Sequence, residues 1–125
     1  MNLTVLENKY SIYRFSTESG LPPWVYTSEF YSVTRTSEEL SVVALQNDSS
    51  GDDVICNRDW RIIKVEGPLD FSLTGIIAGI SAVLSKREIS IFTVSTFDTD
   101  YILVKQNDLN CAIEALQENG YIMSL

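Results

Sequence analysis

The sequence predicts an α+β domain in which two helices cover one face of an antiparallel sheet. Segments rich in β-branched residues predict strands, whereas apolar residues at helical spacing predict two helices between them. The strands are expected at 60–65, 89–96, 101–105 and 121–123. The helices are expected from about 73 to 87 and from about 109 to Gly120, which is suited to a left-handed helix end. The order β-α-β-β-α-β is the ferredoxin-like arrangement.

The first of these helices has an apolar face and a face of small residues. Its apolar positions are Leu73, Ile76, Ile77, Ile80, Val83 and Leu84. On its other face are Gly75, Ala78, Gly79 and Ala82. Because each glycine inside a helix costs about 1 kcal/mol relative to alanine, the small face indicates close packing, either against another backbone or against the domain's own sheet.

The first half of the chain repeats part of this pattern in a shorter form. Residues 10–15 predict a strand, and residues 33–43 align with residues 94–104 at an offset of 61, which indicates a duplicated hairpin. Residues 16–28 include Pro22-Pro23-Trp24 and replace the long helix with a turn or one short helix.

An acidic, polar segment follows that hairpin. Residues 46–58 predict a surface connection, with a short helix or edge strand around 54–56 as the alternative. We therefore expect an abridged N-terminal unit with an acidic linker at 1–58 and a complete C-terminal unit at 59–125.

Composition excludes several classes of function. The 125 residues include 9 Lys and Arg against 17 Asp and Glu, which gives a net charge of −8. The basic residues are scattered, so no nucleic-acid-binding stripe is expected. No apolar run reaches the roughly 18 residues of a membrane span, and the first residues do not resemble a signal peptide, so the expected location is the cytoplasm. The absence of histidine removes the most common general base, so we expect no enzyme.

Neither the cysteines nor the paired acids indicate a cofactor or metal site. Cys56 and Cys111 lie 55 positions apart with no CxxC motif, which fits a reduced compartment and no zinc site. Asp98 and Asp100 flank Thr99 without a third oxygen ligand at calcium-loop spacing. They indicate either a solvated hairpin tip or a contact with a partner or ligand.

Two long motifs resemble a known family. The segment KVEGPLDFSLTGI (64–76), followed by ISIFTVSTFDTDYILVK (89–105), resembles the ACT domains of the CASTOR-like, tandem-ACT group. The segment FYSVTRTSEELSVV (30–43) is similar to the first, shortened ACT unit of these small proteins. The resemblance covers most of residues 10–122.

This resemblance implies a regulatory protein that binds an amino acid between paired ACT units and has no catalytic residues or cofactor. The implied binding loop and helix start are Leu69, Asp70, Phe71, Ser72, Leu73, Thr74, Gly75 and Ile76. The implied facing strand positions, on the neighbouring unit, are Ser90 and Ile91. The segment that serves partner recognition in CASTOR relatives is matched by Phe97, Asp98, Thr99 and Asp100. A homodimer and a regulatory protein partner are further expectations.

Simple chemistry is compatible with such a site. A free amino acid carries a carboxylate and an ammonium group, and the N–H groups that begin a helix suit the first. A strand carbonyl or Asp70 suits the second, although Asp70 equally suits a helix start without any ligand. The alternative function is an adaptor that has kept the scaffold and binds no metabolite. The aromatic residues Trp24, Tyr26, Phe30 and Tyr31 are expected to cover the sheet, or else to form an exposed patch.

Overall fold

The computed structural model describes residues 1–47, 54–70 and 74–125, which form two compact units. The N-terminal unit is Asn8–Trp60, and the C-terminal unit combines Met1–Glu7 with Arg61–Leu125. The strands are β1 (Asn2–Val5), β2 (Tyr10–Phe15), β3 (Ser32–Arg35), β4 (Leu40–Leu45), β5 (Ile55–Val65), β6 (Ile91–Ser95), β7 (Asp100–Lys105) and β8 (Ile122–Ser124). The helices are α1 (Pro23–Tyr26), α2 (Ile76–Lys86) and α3 (Leu109–Glu118), with a 3-10 turn at Gln106–Asp108 before α3.

The N-terminal unit is a small sheet covered by one short helix. Its strands lie in the order β3-β4-β2, followed by the first residues of β5, and β2–β4, β2–β5 and β3–β4 all pair antiparallel. The buried core is Tyr13, Val25, Leu40, Val42 and Ala44. The four-residue helix α1 confirms that one short helix replaces a long one in this half.

Strand β5 begins earlier than predicted. It starts at Ile55 instead of residue 60, because Tyr13 and Arg14 of β2 pair with Cys56 and Ile55. The end of the predicted linker is therefore a strand, as the alternative interpretation had it. The rest of the acidic segment, residues 48–53, lies outside the described residues.

The C-terminal unit confirms the β-α-β-β-α-β order but contains an additional strand. Its sheet runs β6-β7-β5-β1-β8, so β1 lies between the first and last strands of the predicted domain. The pair β1–β8 is parallel, which corrects the expectation of a wholly antiparallel sheet. Since the side chain of Leu3 is completely buried in this unit's core, Met1–Glu7 groups here and not with the predicted unit 1–58.

Helix α2 begins three residues later than predicted. Gly75 precedes it with a φ of 77°, a left-handed conformation that a right-handed helix cannot contain. Helix α3 ends as predicted, because Gly120 has a φ of 91° and the N–H of Tyr121 donates to the carbonyl of Leu116 at 3.1 Å. Among the described residues, no helix has the length and apolar character needed to cross a membrane.

One residue of the small face of α2 packs against its own unit, whereas packing of another backbone on this face stays a prediction. A Cβ atom on Gly79 would lie 3.1 Å from the hydroxyl of Tyr121, so this glycine packs against its own unit. Ala78 and Ala82 are exposed.

The duplicated hairpin is present, but its offset is 60 and not 61. Arg35 pairs with Leu40 in the first copy, and Ser95 pairs with Asp100 in the second. In each copy the N–H of a threonine donates across the turn to the carbonyl three residues later. Thr36 donates to Glu39 at 2.9 Å, and Thr96 donates to Thr99 at 2.8 Å. The hairpins of the two units therefore have turns with the same backbone hydrogen bond.

Candidate functional site

A cavity of about 380 Å³ lies in the C-terminal unit, and we call it the turn cavity. Three segments form its walls: the loop after β5, the start of α2 and the turn between β6 and β7. Its lining residues are Leu69, Asp70, Gly75, Ile76, Ile77, Ala78, Ser95, Thr96, Phe97, Asp98, Thr99 and Asp100.

Backbone contacts hold the loop against the turn. The N–H of Leu69 donates to the carbonyl of Asp98 at 2.7 Å. A Cβ atom on Gly67 would lie 3.0 Å from that same carbonyl oxygen and 3.0 Å from the nitrogen of Leu69. Glycine at this position therefore allows the two segments to approach closely.

Thr99 fixes the turn from the inside. Its side chain is only 4% exposed, and its hydroxyl donates to the carbonyl of Val65 at the end of β5. Its backbone N–H donates to the hydroxyl of Thr96 at 3.3 Å. The position of the turn therefore depends on a residue that offers almost no surface to a partner.

Phe97, on the same turn, is in contrast strongly exposed. It is 80% exposed although it lines the cavity, so it stands at the rim. One turn thus contributes both an anchored wall and an exposed aromatic ring.

The start of α2 provides hydrogen-bond donors. The first N–H groups of an α-helix have no acceptor within the helix, and no side chain of the described residues caps this end. Ile76, Ile77 and Ala78 belong to this first turn, and all three line the cavity.

The charged residues of the lining are acidic. They include the carboxylates of Asp70, Asp98 and Asp100, and the described lining contains no lysine, arginine or histidine. The hydroxyl of Ser95 donates to Asp100 at 2.6 Å, which orients that carboxylate. The cavity therefore combines an anionic wall with an apolar one that includes Leu69 and Ile76.

The structure brings together two groups of residues that the sequence predicted for different roles. Leu69, Asp70, Gly75 and Ile76, predicted to bind a ligand, share one cavity with the turn that was predicted to bind a partner. That turn contributes Phe97, Asp98, Thr99 and Asp100.

The remaining predicted residues are not in this lining. Thr74 is exposed next to it, and the predicted positions Phe71, Ser72 and Leu73 lie outside the described residues. Ile91 begins β6 at the opposite end from the turn, about 13 Å away at the usual rise per strand residue, and Ser90 directly precedes it. Their predicted role on a neighbouring unit stays a prediction.

Sequence reasoning missed four lining residues: Ile77, Ala78, Ser95 and Thr96. A signal for Thr96 was available, because threonine also stands at position 36, the equivalent place in the first hairpin at an offset of 60. A smaller cavity of about 280 Å³ lies on the other side of the α2 start, with Gly75 and Ile76 in both linings.

The predicted aromatic cluster separates into two parts. Trp24 packs on Tyr13 with ring centroids 4.9 Å apart, and Phe30 packs on Tyr10 at 6.0 Å. Tyr26 and Tyr31 are exposed instead, as the patch interpretation had it.

Comparison with protein families identifies the class of protein. The profile of a family described as ACT domain matches residues 55–118, which is half of the chain. A profile for an N-terminal domain matches residues 8–52. The chain therefore belongs to the ACT domain family, and the resemblance inferred from its motifs is confirmed.

Individual relatives place it within that family. The human cytosolic arginine sensor for mTORC1 subunit 1 is 39% identical over 59 residues, which are 46% of this chain and 18% of the sensor. The human putative protein CASTOR3P is 31% identical over 107 residues, 76% of this chain and 66% of that protein. The chain thus matches less than a fifth of the sensor's length.

A solved structure shares nearly the whole fold. A crystal structure of a protein from Agobacterium tumefaciens is 38% identical, with a TM-score of 0.89 over 98% of this chain and 90% of that one. The ferredoxin-like fold class is thereby confirmed, and this chain is similar to the CASTOR proteins in particular.

Proposed function

We propose that this chain is a regulatory protein that binds an amino acid in the turn cavity and signals through a change in its association. The cavity carries the proposal, since its volume of about 380 Å³ lies in the range typical of small-molecule sites. Membership of the ACT domain family and the similarity to a protein named as an arginine sensor support it.

The chemistry of the walls suits a zwitterion. The donors at the start of α2 favour a carboxylate, and the helix dipole adds to this preference. The carboxylate of Asp98, on the opposite segment, favours an ammonium group.

The acidic lining also favours a ligand with a second cationic group. The carboxylates of Asp98 and Asp100 line the same cavity and together attract more positive charge than one ammonium group supplies. Arginine is the first ligand to test, followed by lysine, because a related protein is named as an arginine sensor.

The signalling part of the proposal requires a neighbouring ACT unit. We expect Ser90 and Ile91 of that unit to face the ligand, so that binding alters how the units pair. We expect the downstream partner to recognise one pairing state. Because a related protein is named as a cytosolic sensor, we also expect this protein to act in the cytosol.

Calorimetry with arginine, lysine and the other amino acids tests the binding step. Asp98→Asn keeps the shape of the side chain but removes a charge, and we expect it to weaken binding about tenfold. The matched control is Glu38→Gln, which removes one charge from the equivalent turn of the N-terminal unit. The absence of heat and of thermal stabilisation with all twenty amino acids would overturn the sensing function.

An adaptor function is the second candidate, and the exposed ring of Phe97 favours it. In that case Phe97→Ala abolishes binding of a protein partner, while no amino acid stabilises the chain. We assign no catalytic step, because the sequence contains no histidine and its relatives belong to a regulatory family.

A further inference from the structure

The N-terminal unit carries two neighbouring exposed tyrosines that the proposed function does not use. Tyr26 and Tyr31 are 60% and 42% exposed, and we call them the tyrosine pair. Their rings pack edge to face, with an interplanar angle of 82° and centroids 5.9 Å apart. Single exposed apolar residues are ordinary on a protein surface, whereas exposed aromatic rings in mutual contact indicate an interaction surface.

The short helix α1 fixes the first ring of the pair. Tyr26 is the last residue of α1, and Val25 directly before it is completely buried. Trp24 of the same helix packs on the buried ring of Tyr13, with centroids 4.9 Å apart. The backbone that carries Tyr26 is therefore anchored in the core, although its ring faces solvent.

The segment after α1 fixes the second ring. The buried hydroxyl of Ser28 donates to the carbonyl of Phe30 and accepts the N–H of Leu45 on β4 at 3.0 Å. Phe30 packs edge to face on the buried Tyr10, with centroids 6.0 Å apart, and Tyr31 follows it directly. Because both rings stand on an anchored backbone, a partner loses little conformational entropy when it binds them.

The charges around the tyrosine pair are negative. Residues 16–34 contain Glu18 and Glu29 but neither lysine nor arginine, in a chain of net charge −8. Glu29 is exposed and stands between the two tyrosines in the sequence. Tyrosine faces attract cations, and a carboxylate in the same segment adds to that attraction. The surface is therefore complementary to a cationic partner.

We propose that the tyrosine pair and Glu29 form a docking surface for an arginine-bearing segment of a partner protein. Arginine suits this surface better than lysine, because its planar guanidinium stacks on aromatic rings and can donate two hydrogen bonds to a carboxylate. Tyrosine and arginine are also the residues that most often dominate binding at protein interfaces. The proposal does not depend on an amino acid being bound in the turn cavity.

An NMR titration of the full chain tests this proposal. The probe is an acetylated and amidated pentapeptide with two arginines between glycines, and the same peptide with two lysines is the comparison. Capping both ends removes the zwitterion that the turn cavity is proposed to bind. We expect the arginine peptide to shift the amide signals of residues 24–31 and to bind at least about threefold more tightly than the lysine peptide.

Variants separate the rings from the general negative charge. Tyr26→Leu keeps an apolar side chain but removes the ring, so it should weaken binding about two- to fivefold, whereas Tyr26→Phe should retain it. Glu29→Gln should also weaken binding. Its matched control is Glu38→Gln, which removes the same charge from an exposed residue of the same unit and should leave the affinity unchanged.

Several results would each overturn the proposal. These are equal affinities for the two peptides, a Tyr26→Leu variant that binds as well as wild type, and an equal loss with Glu29→Gln and Glu38→Gln. Shifts confined to the residues of the turn cavity would also overturn it, because they would place the peptide there. Calorimetry with free arginine on the same samples reports the proposed sensing function separately.

Discussion

Single residues decide whether the turn cavity keeps its shape. Gly67 permits the loop to approach the turn, and Thr99 anchors that turn to β5. Both act through the backbone of their neighbours, so neither needs to touch a ligand in order to affect its binding. This separates them from Asp98, whose effect we expect to be electrostatic.

Gly67→Ala is expected to destabilise the chain. Its new Cβ atom would meet two backbone atoms at 3.0 Å, which cannot move independently, so we expect a loss of about 1–3 kcal/mol in the free energy of unfolding. Gly20→Ala is the control, since nothing lies within 4 Å of its Cβ position. Urea denaturation measures both, and equal stabilities of the two variants would contradict the close approach.

Thr99→Val is expected to cost about 1–3 kcal/mol, because the carbonyl of Val65 loses its donor in a buried place. Thr99→Ser retains the hydroxyl and should lose less. Denaturant unfolding gives the stabilities, and calorimetry with arginine shows whether the cavity is disturbed. A serine variant as unstable as the valine variant would argue against the hydrogen bond.

Alkaline pH should destabilise the protein through Tyr10. Burial raises the pKa of Tyr10 above its ordinary value of 10.0, and the Glu29 carboxylate raises it further. The folded state therefore holds this proton more tightly than the unfolded state, so the contribution is complete below the unfolded pKa. It is lost as pH rises through the folded pKa. Unfolding at about pH 9 and about pH 11 should show a smaller decrease for Tyr10→Phe than for wild type.

Among the elements, the amino-terminal strand β1 was the largest omission from the sequence prediction. Four residues provide too short a pattern to indicate a strand, and nothing local shows that they pair with residues more than 50 positions away. The start of α2 was misplaced for a different reason. The apolar spacing extends back to Leu73, whereas the left-handed Gly75 makes the helix begin later, at Ile76.

The offset between the two hairpins shows the same limit of local sequence patterns. Runs such as 42–44 and 102–104 are buried at every position, so their sequences fit almost equally well when shifted by one residue. The turn resolves the ambiguity, because Thr36 and Thr96 make the same backbone bond. Patterns within one element were thus predictable, while the gathering of loop, helix start and turn into one cavity depended on contacts between elements.

Leu3→Ala should show that β1 belongs to the core of the C-terminal unit. The side chain is completely buried, so we expect a loss of about 2–5 kcal/mol. Ile55→Ala, at a residue that is 63% exposed, should change stability by less than about 1 kcal/mol. Thermal unfolding of the two variants makes the comparison, and a small effect at Leu3 would argue against the inserted strand.

Across the whole molecule, the excess of 17 acidic over 9 basic residues sets the response to salt. Like charges repel more strongly in the compact state than in the unfolded chain, and salt screens this repulsion. Raising sodium chloride from about 0.02 M to about 0.2 M should therefore raise the midpoint of urea unfolding. Potassium chloride should act equally, and a fall in the midpoint would indicate that attractive ion pairs dominate.

The place of β1 also constrains the order in which the chain can fold. Asn8–Trp60 is contiguous in the sequence and forms one compact unit. Asn2–Val5 precedes the other described strands along the chain and needs Ile122–Ser124 before both of its edges are paired. Contacts between such distant parts of a chain slow folding, so we expect Asn2–Val5 to be among the last segments to reach their final state.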